Sequence, residues 1–233
     1  MTSTVTTINP YTEQPITEYQ LLDKEAAQQA VDNADKCFQN WKLVSIEERA
    51  QYALKLAQVL ESHQQQLAQL MTDEMGKVRA QGLQEVQLCA AICRYTAQQA
   101  STVLADEARD MDNGRAIISY QPIGVILGIQ PWNFPLYQVI RYSIANLVAG
   151  NTTVLKHASN VFGMAEKIEA MFIEAGFPKH CDQSLLIDGD TASSLIGHPK
   201  VQGVSFTGSD KVGKAVAAEA GKLAKKTILE LGS

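Results

Sequence analysis

The sequence predicts an α/β fold: an open parallel sheet with helices on both faces, preceded by a helical N-terminal layer. Two observations lead there. Residues 24–103 repeat apolar side chains at the helical period of 3.6, and after Asp112-Asn113-Gly114 short apolar runs alternate with longer helical ones. Runs that are apolar throughout belong to strands buried on both faces, and strand–helix–strand spacing is what parallel pairing requires.

In the first part, Ala27, Ala30, Val31, Ala34, Phe38 and Trp41 form one stripe of a helix over 24–41. Ser45-Ile46-Glu47-Glu48 is a capping box that opens a second helix through Ala50, Ala53, Leu54, Ala57 and Leu60. A third helix from about Ser62, with Gln64-Gln65-Gln66 on its solvated face, stops at Met75-Gly76, where glycine suits a left-handed cap. A fourth covers 78–103. Beyond it the strand-like runs are 116–120, 124–129, 153–155, 184–187, 204–207 and 228–231, and the helices between them are 136–149, 161–175, 191–196 and 209–225.

The composition is ordinary for a globular protein, at 233 residues, 45% hydrophobic and 19% charged. A net charge of -5 leaves no basic footprint for nucleic acid, and no apolar run approaches the roughly 18 residues of a membrane span. MTSTVTTINP has neither a charged n-region nor an apolar h-region, so a cytoplasmic protein is expected. Cys37, Cys89, Cys93 and Cys181 show no C-x-x-C spacing and the four histidines are scattered, which reads as packing thiols and no metal site.

Ligands of such sheets sit beyond the carboxyl ends of the strands, which selects 131–135, 156–160, 208–214 and Gly232. One of these lies in FTGSDKVGKAV (206–216). From Gly208 it reads G-x-x-x-x-G-K, a P-loop in which Ala215 stands where magnesium needs a hydroxyl; as a dinucleotide loop it is one glycine short.

Pro-Trp-Asn-Phe-Pro (131–135), Gly-Asn-Thr-Thr-Val-Leu-Lys (150–156), Phe-Thr-Gly-Ser (206–209) with Gly213, and Leu-Glu-Leu-Gly (229–232) together resemble the aldehyde dehydrogenase superfamily, succinate-semialdehyde-type members in particular. Asn9-Pro10 and Asp73-Glu74-Met75-Gly76-Lys77 extend the resemblance over the whole chain. It implies a Rossmann-like NAD(P)-binding domain over 1–114 and 122–233, residues 115–121 as a strand of the oligomerisation segment, and a catalytic domain that is absent. Homo-oligomers are the family's habit.

The resemblance also assigns roles. Asn133 is similar to the asparagine whose amide stabilises a developing oxyanion, a donor that contributes about 2.7–4 kcal/mol in acyl-transfer sites; an Asn that fixes the bend between two prolines is the other reading. Pro131, Trp132 and Leu231 fall at cofactor-contacting positions. Lys156 resembles the lysine that bonds the adenosine ribose, with His157 and Asn160 beside it. Ser159 stands where NAD-selective members carry a glutamate that would repel a 2′-phosphate, so NADP is expected to be tolerated along with NAD; a plain helix cap is the alternative. Gly208 and Ser209 would receive the pyrophosphate at a helix N-terminus, and Gly213, grouped with them as cofactor-binding, would let that helix pack closely.

Glu230 resembles the general base, its pKa to be tuned by desolvation at the end of an apolar strand. Arg141 matches the arginine that receives the distal carboxylate of the substrate, and Tyr142 replaces a lysine common in the family. The nucleophilic cysteine lies beyond Glu230 in the family, and Ser233 stands where a second glycine is usual. The chain is therefore expected to be inactive alone and to expose apolar surface that promotes self-association. A non-enzymatic assembly module and a P-loop hydrolase are the competing readings.

Overall fold

The computed structural model describes residues 3–232; Ser233, where the sequence departs from the family pattern, lies outside them. Where helices alone were expected, the chain opens on a hairpin. β1 (Thr4–Ile8) pairs antiparallel with β2 (Pro15–Gln20). Its turn is fixed by Asn9, whose Oδ1 accepts from the backbone N–H groups of Tyr11 and Thr12 at 3.0 and 3.1 Å.

The four expected helices follow as α1 (Lys24–Trp41), α2 (Ile46–Ser62), α3 (Gln64–Met75) and α4 (Arg79–Val103). Ser45 caps α2 by accepting from Glu48 N–H, and Gly76 ends α3 in the left-handed region at φ 75°. A second hairpin joins β3 (Glu107–Met111) to β4 (Gly114–Ile118). The strand expected at 116–120 thus starts earlier and has an antiparallel partner, so a boundary at 114/115 would cut through this hairpin. Met111, Ile117, Ile118 and Tyr120 stand exposed on and just after it.

Five strands form the parallel sheet: β5 (Val125–Gln130), β6 (Thr152–His157), β7 (Asp182–Ser184), β8 (Val201–Ser209) and β9 (Lys226–Gly232). Their spatial order is β7-β6-β5-β8-β9. The connecting helices are α5 (Tyr137–Val148), α6 (Phe162–Glu174), α7 (Gly189–Ile196) and α8 (Asp210–Lys222). The strand expected at 184–187 is displaced to Asp182–Ser184. Leu185 and Ile187 remain buried in the core, because an apolar run records burial and not pairing.

Each face of the sheet has its own core, and the N-terminal helices divide between them instead of forming one layer. α1 lies with α7 and α8, burying Ala27, Val31 and Ala34 against Val125, Leu127 and Val154. α2, α3 and α4 pack on the opposite face around α5 and α6, with Leu56, Leu60, Met71, Cys89 and Cys93 in contact with the Ile140, Ile144 and Ile168 side of the core. The 3.6 period identifies which stripe of α1 is buried; it carries no information on which face of the sheet receives it.

Tyr142, the lysine replacement, fills the space that Gly128 leaves in β5. A Cβ on Gly128 would come 2.1 Å from the Tyr142 ring, and the hydroxyl donates to Val154 O at 3.4 Å. Gly128→Ala is expected to lower unfolding free energy by about 1–3 kcal/mol, as overpacking of a full core does, measured by urea denaturation. Tyr142→Phe keeps the ring and should cost under about 1.5 kcal/mol; equal losses for the two variants would show that the hydroxyl, not the shape, fixes this contact.

Candidate functional site

All five strands run parallel, so their carboxyl ends share one edge. β5 is central, the chain leaves it toward β6 on one side and returns through β8 on the other, and the crevice at that switch point is where ligands of such sheets bind. The segment 131–135 follows β5, Ser159 follows β6, α8 starts at the end of β8, and Glu230, Leu231 and Gly232 end β9. Pro131, Trp132, Asn133, Lys156, Ser159, Ser209, Glu230 and Leu231 are thereby brought to the same edge.

Four helices start at this edge, each with unpaired N–H groups and a positive dipole end. Their capping groups differ. At α5, Glu85 Oε1 accepts from Leu136 and Tyr137 N–H at 3.0 and 2.9 Å. At α6, Glu74 accepts from Gly163 N–H at 2.7 Å and from Met164 N–H at 2.9 Å. At α7, Asp188 accepts from Thr191 N–H at 2.8 Å. α8 is capped by the neutral hydroxyl of Ser209, which accepts from Val212 N–H at 3.5 Å. An incoming phosphate meets a carboxyl group already holding the N–H groups at the first three helices and none in the cap of the fourth. Asp210, in the first turn of α8, is paired with Lys214 at 2.7 Å.

The loop 131–135 is fixed from beneath. Lys77 and Glu85 form a buried ion pair, and the Lys77 ammonium lies 3.9 Å from the centre of the Phe134 ring. His157 Nε2 is 2.8 Å from Pro135 O and its Nδ1 is 3.3 Å from Gln130 O. Asn133 is exposed and its Oδ1 accepts from Phe134 N–H at 3.1 Å, which leaves the amide NH2 available to a ligand. Trp132 is 49% exposed beside it.

His157 departs from expectation. Its side chain is wholly buried and its ring faces the backbone at the root of the loop, so it holds the loop and presents nothing to a cofactor. Burial pushes its pKa down to about 4, so the ring is neutral at physiological pH. Lys156 is half-buried at the end of β6; desolvation lowers its pKa and the charge of Asp188 opposes that shift. Ser159 is exposed and makes no side-chain cap to either the 3-10 turn Ser159–Val161 or α6.

The P-loop reading fails on backbone geometry. β8 runs through Gly208 to Ser209 and α8 begins at Asp210, so no loop exists between Gly208 and Lys214 to cradle a phosphate. Lys214 lies exposed on the helix surface. Gly208 has a packing reason for its missing side chain: a Cβ would stand 2.7 Å from Phe206 Cζ. Gly213 is buried against the sheet, where a Cβ would fall 2.2 Å from Leu231 Cδ2. It brings α8 close to β9, the packing expected of it, but being buried it gives a cofactor no surface and does not belong with the binding residues.

Arg141 and Glu230, expected to serve substrate and water separately, are ion-paired with each other. The Glu230 side chain is 43% exposed, so the desolvation expected of a buried strand end is absent; β9 is an edge strand and most of it faces solvent. Hydrogen bonding to Glu230 raises the Arg141 pKa further. Cys89, Cys93 and Cys181 are buried thiols, pushed up by desolvation, Cys93 to about 12. Among the described residues no cluster of three or more His, Cys, Asp or Glu could hold a metal, and no helix is long and apolar enough to cross a membrane.

Sequence reasoning missed Glu74, Lys77 and Glu85. A signal existed: Glu74 continues the stripe of Leu67 and Met71, and Glu85 that of Gly82 and Cys89, so each carboxylate sits where the period calls for an apolar residue.

Residues 1–233 match the model of the aldehyde dehydrogenase family. A Synechocystis protein named "Probable succinate-semialdehyde dehydrogenase (NADP+)" is 41% identical over 228 residues, covering 98% of this chain and 50% of the relative. The Deinococcus radiodurans succinate-semialdehyde dehydrogenase (NADP+) is 37% identical, over 97% of this chain and 47% of its own. Among solved structures, succinic semialdehyde dehydrogenase from Streptococcus pyogenes in complex with NADP+ superposes with a TM-score of 0.94 at 36% identity, over 97% of this chain and 50% of that one. The chain spans about half the length of the curated relatives it matches.

Burial also raises the pKa of Glu74 to about 7. A carboxyl raised in the folded state binds its proton more tightly there than in the unfolded chain. Its contribution to stability is complete below the unfolded value near 4.5 and is lost as pH rises through about 7. Urea midpoints at pH 5 and pH 8 should therefore show the deficit of Glu74→Gln shrinking toward the higher pH. Parallel profiles for variant and wild type would mean that Glu74 is ionised across the whole range.

Proposed function

The chain belongs to the aldehyde dehydrogenase family, and we propose that it is the dinucleotide-binding portion of a succinate-semialdehyde-type enzyme that takes NADP as well as NAD along the carboxyl edge of its sheet. The single observation that carries this reading is the cap of α8. Of the four helices that start at that edge, α8 alone is capped by a hydroxyl and not by an acid, so a pyrophosphate gains the dipole and N–H groups there without displacing or meeting a capping carboxyl group.

The residues present fit the cofactor. Ser209 and the first turn of α8 suit the phosphates, and Lys156 offers three donors to ribose hydroxyls. Ser159, exposed and uncharged, leaves room for a 2′-phosphate that a glutamate would repel. When bound, NAD(P)+ accepts the hydride; the chain's own task is to hold and orient it. Asn133 directs its free amide toward an oxygen that gains charge, and Arg141 and Glu230 serve a substrate carboxylate and an attacking water. Because those two are paired, a carboxylate arriving at Arg141 competes with Glu230 for one guanidinium, which frees the base as substrate binds.

With Cys89, Cys93 and Cys181 buried and protonated, and the half-buried Cys37 beside Cys181 at the amino end of β7, away from the carboxyl edge, we read this chain as inactive by itself, because aldehyde oxidation needs a nucleophile that these thiols do not supply at the site. The exposed apolar residues of the β3–β4 hairpin favour a second reading, an assembly module that joins other subunits and binds no cofactor.

Titration with NADPH should give saturable fluorescence enhancement, weakened about tenfold or more by Lys156→Met as a charge-assisted bond is lost. Ser159→Glu should weaken NADPH more than NADH. An unsaturable wild-type signal would leave only the assembly reading. With succinate semialdehyde and NAD(P)+ the chain should give no NAD(P)H above a buffer control; sustained turnover would overturn the inactive reading.

A further inference from the structure

We propose that Lys77, Glu85 and Phe134 are positioning residues that aim the loop 131–135, and with it Asn133, through a buried charge covered by an exposed ring; the proposal rests on the reading of Asn133 and its loop as part of the cofactor and substrate site. None of the three is assigned to that site by its own chemistry toward a ligand. Their effect is on the backbone that carries the ligand-facing groups.

The arrangement is layered. Lys77 follows Gly76, whose left-handed conformation ends α3 and turns the chain inward. The Lys77 and Glu85 side chains are 6% and 1% exposed, so the pair is out of water. Glu85 divides its oxygens between two tasks: Oε2 takes the Lys77 ammonium, and Oε1 takes Leu136 and Tyr137 N–H, where the loop becomes α5.

The outer face of the Lys77 ammonium is covered by Phe134, the residue after Asn133, at 3.9 Å from the ring centre. Desolvation of the cation strengthens that contact. Phe134 also meets Tyr137 edge-on, with ring centroids 6.1 Å apart, which orients the ring over the cation. The Phe134 ring, 47% exposed on its outer side, shields the ion pair beneath it.

The consequence reaches Asn133 through one bond. Its Oδ1 accepts from Phe134 N–H, so the direction of its amide NH2 follows the attitude of the Phe134 peptide. Phe134 in turn is held by the cation beneath it. The prolines stiffen the loop and His157 holds its root; the contact of Phe134 with the cation sets the attitude of the segment between.

The chain contains its own reporter. Of its two tryptophans, Trp41 is 1% exposed and Trp132, next to Asn133, is 49% exposed, so collisional quenching by iodide reads Trp132 alone. Phe134→Leu removes the ring's hold on the cation from an exposed position that the core does not need. It should raise the Trp132 quenching constant about two- to fivefold, the population change that loss of one cation–π contact produces. Phe134→Tyr should restore the wild-type value; Lys77→Gln should mimic Phe134→Leu and Lys77→Arg should not. If Lys77→Gln does not fold, the Phe134 pair decides. Unchanged quenching in Phe134→Leu at unchanged circular dichroism, or Phe134→Tyr behaving like Phe134→Leu, would overturn the proposal. Quenching is read without nucleotide, so a wild-type chain that fails to bind NADPH removes the cofactor reading and leaves this result standing.

Discussion

Helix α5 is gripped at both ends by side chains from the α2–α4 face and the end of α1. At its start Glu85, paired with Lys77, takes two of the N–H groups that a helix cannot satisfy itself; at its end Arg49 Nε donates to Val148 O at 2.8 Å and Trp41 Nε1 to Leu147 O at 2.9 Å. Anion at the N-terminus and cation at the C-terminus both complement the macrodipole. These groups are buried, so removing one partner of the Lys77–Glu85 pair leaves a charge out of water, a loss of about 3–5 kcal/mol. Since α5 continues the loop after β5, whatever fixes α5 fixes the edge at which ligands bind.

The same principle organises the electrostatics of that edge. Side-chain carboxyl groups occupy the dipole ends of α5, α6 and α7 and take the N–H groups there, which closes those helices to phosphate. α8 keeps a neutral hydroxyl at its cap. Architecture and specificity are thus parts of one charge distribution: the N-terminal helices contribute to ligand choice by filling the places where a ligand would otherwise bind. Lys156 and Arg141 provide positive charge on either side of β5, and Asp188 and Glu230 temper it.

What the sequence disclosed follows from what period and local motif can encode. Stripes located α1 to α4, Ser45 and Gly76 marked their own helix ends, and apolar runs identified a doubly covered sheet. The β1–β2 hairpin escaped because its strands are mostly exposed and polar, so no alternating apolar face shows in Thr4-Val5-Thr6-Thr7-Ile8. The side of the sheet taken by α1, and the short β7, depend on packing that no window of sequence contains. At the site, order and spacing of motifs brought the right segments to one edge. The partners did not follow, because the Arg141–Glu230 pair joins residues 89 apart through the register of β9 on β8 and the rotation of α5. His157 was misread for a similar reason: next to Lys156 on a strand, it must point to the opposite face, into the interior.

Glu74 has a further consequence for Gly163. A Cβ at 163 would lie 2.7 Å from the Glu74 carboxylate and 2.8 Å from the Tyr19 hydroxyl, so the bare backbone at that point belongs to a lock whose other parts lie on α3 and β2. Three residues remote in sequence therefore form a single packed joint. A recombined or grafted protein keeps this joint wherever Tyr19, Glu74 and a glycine at 163 are all present, whichever parent supplies each segment.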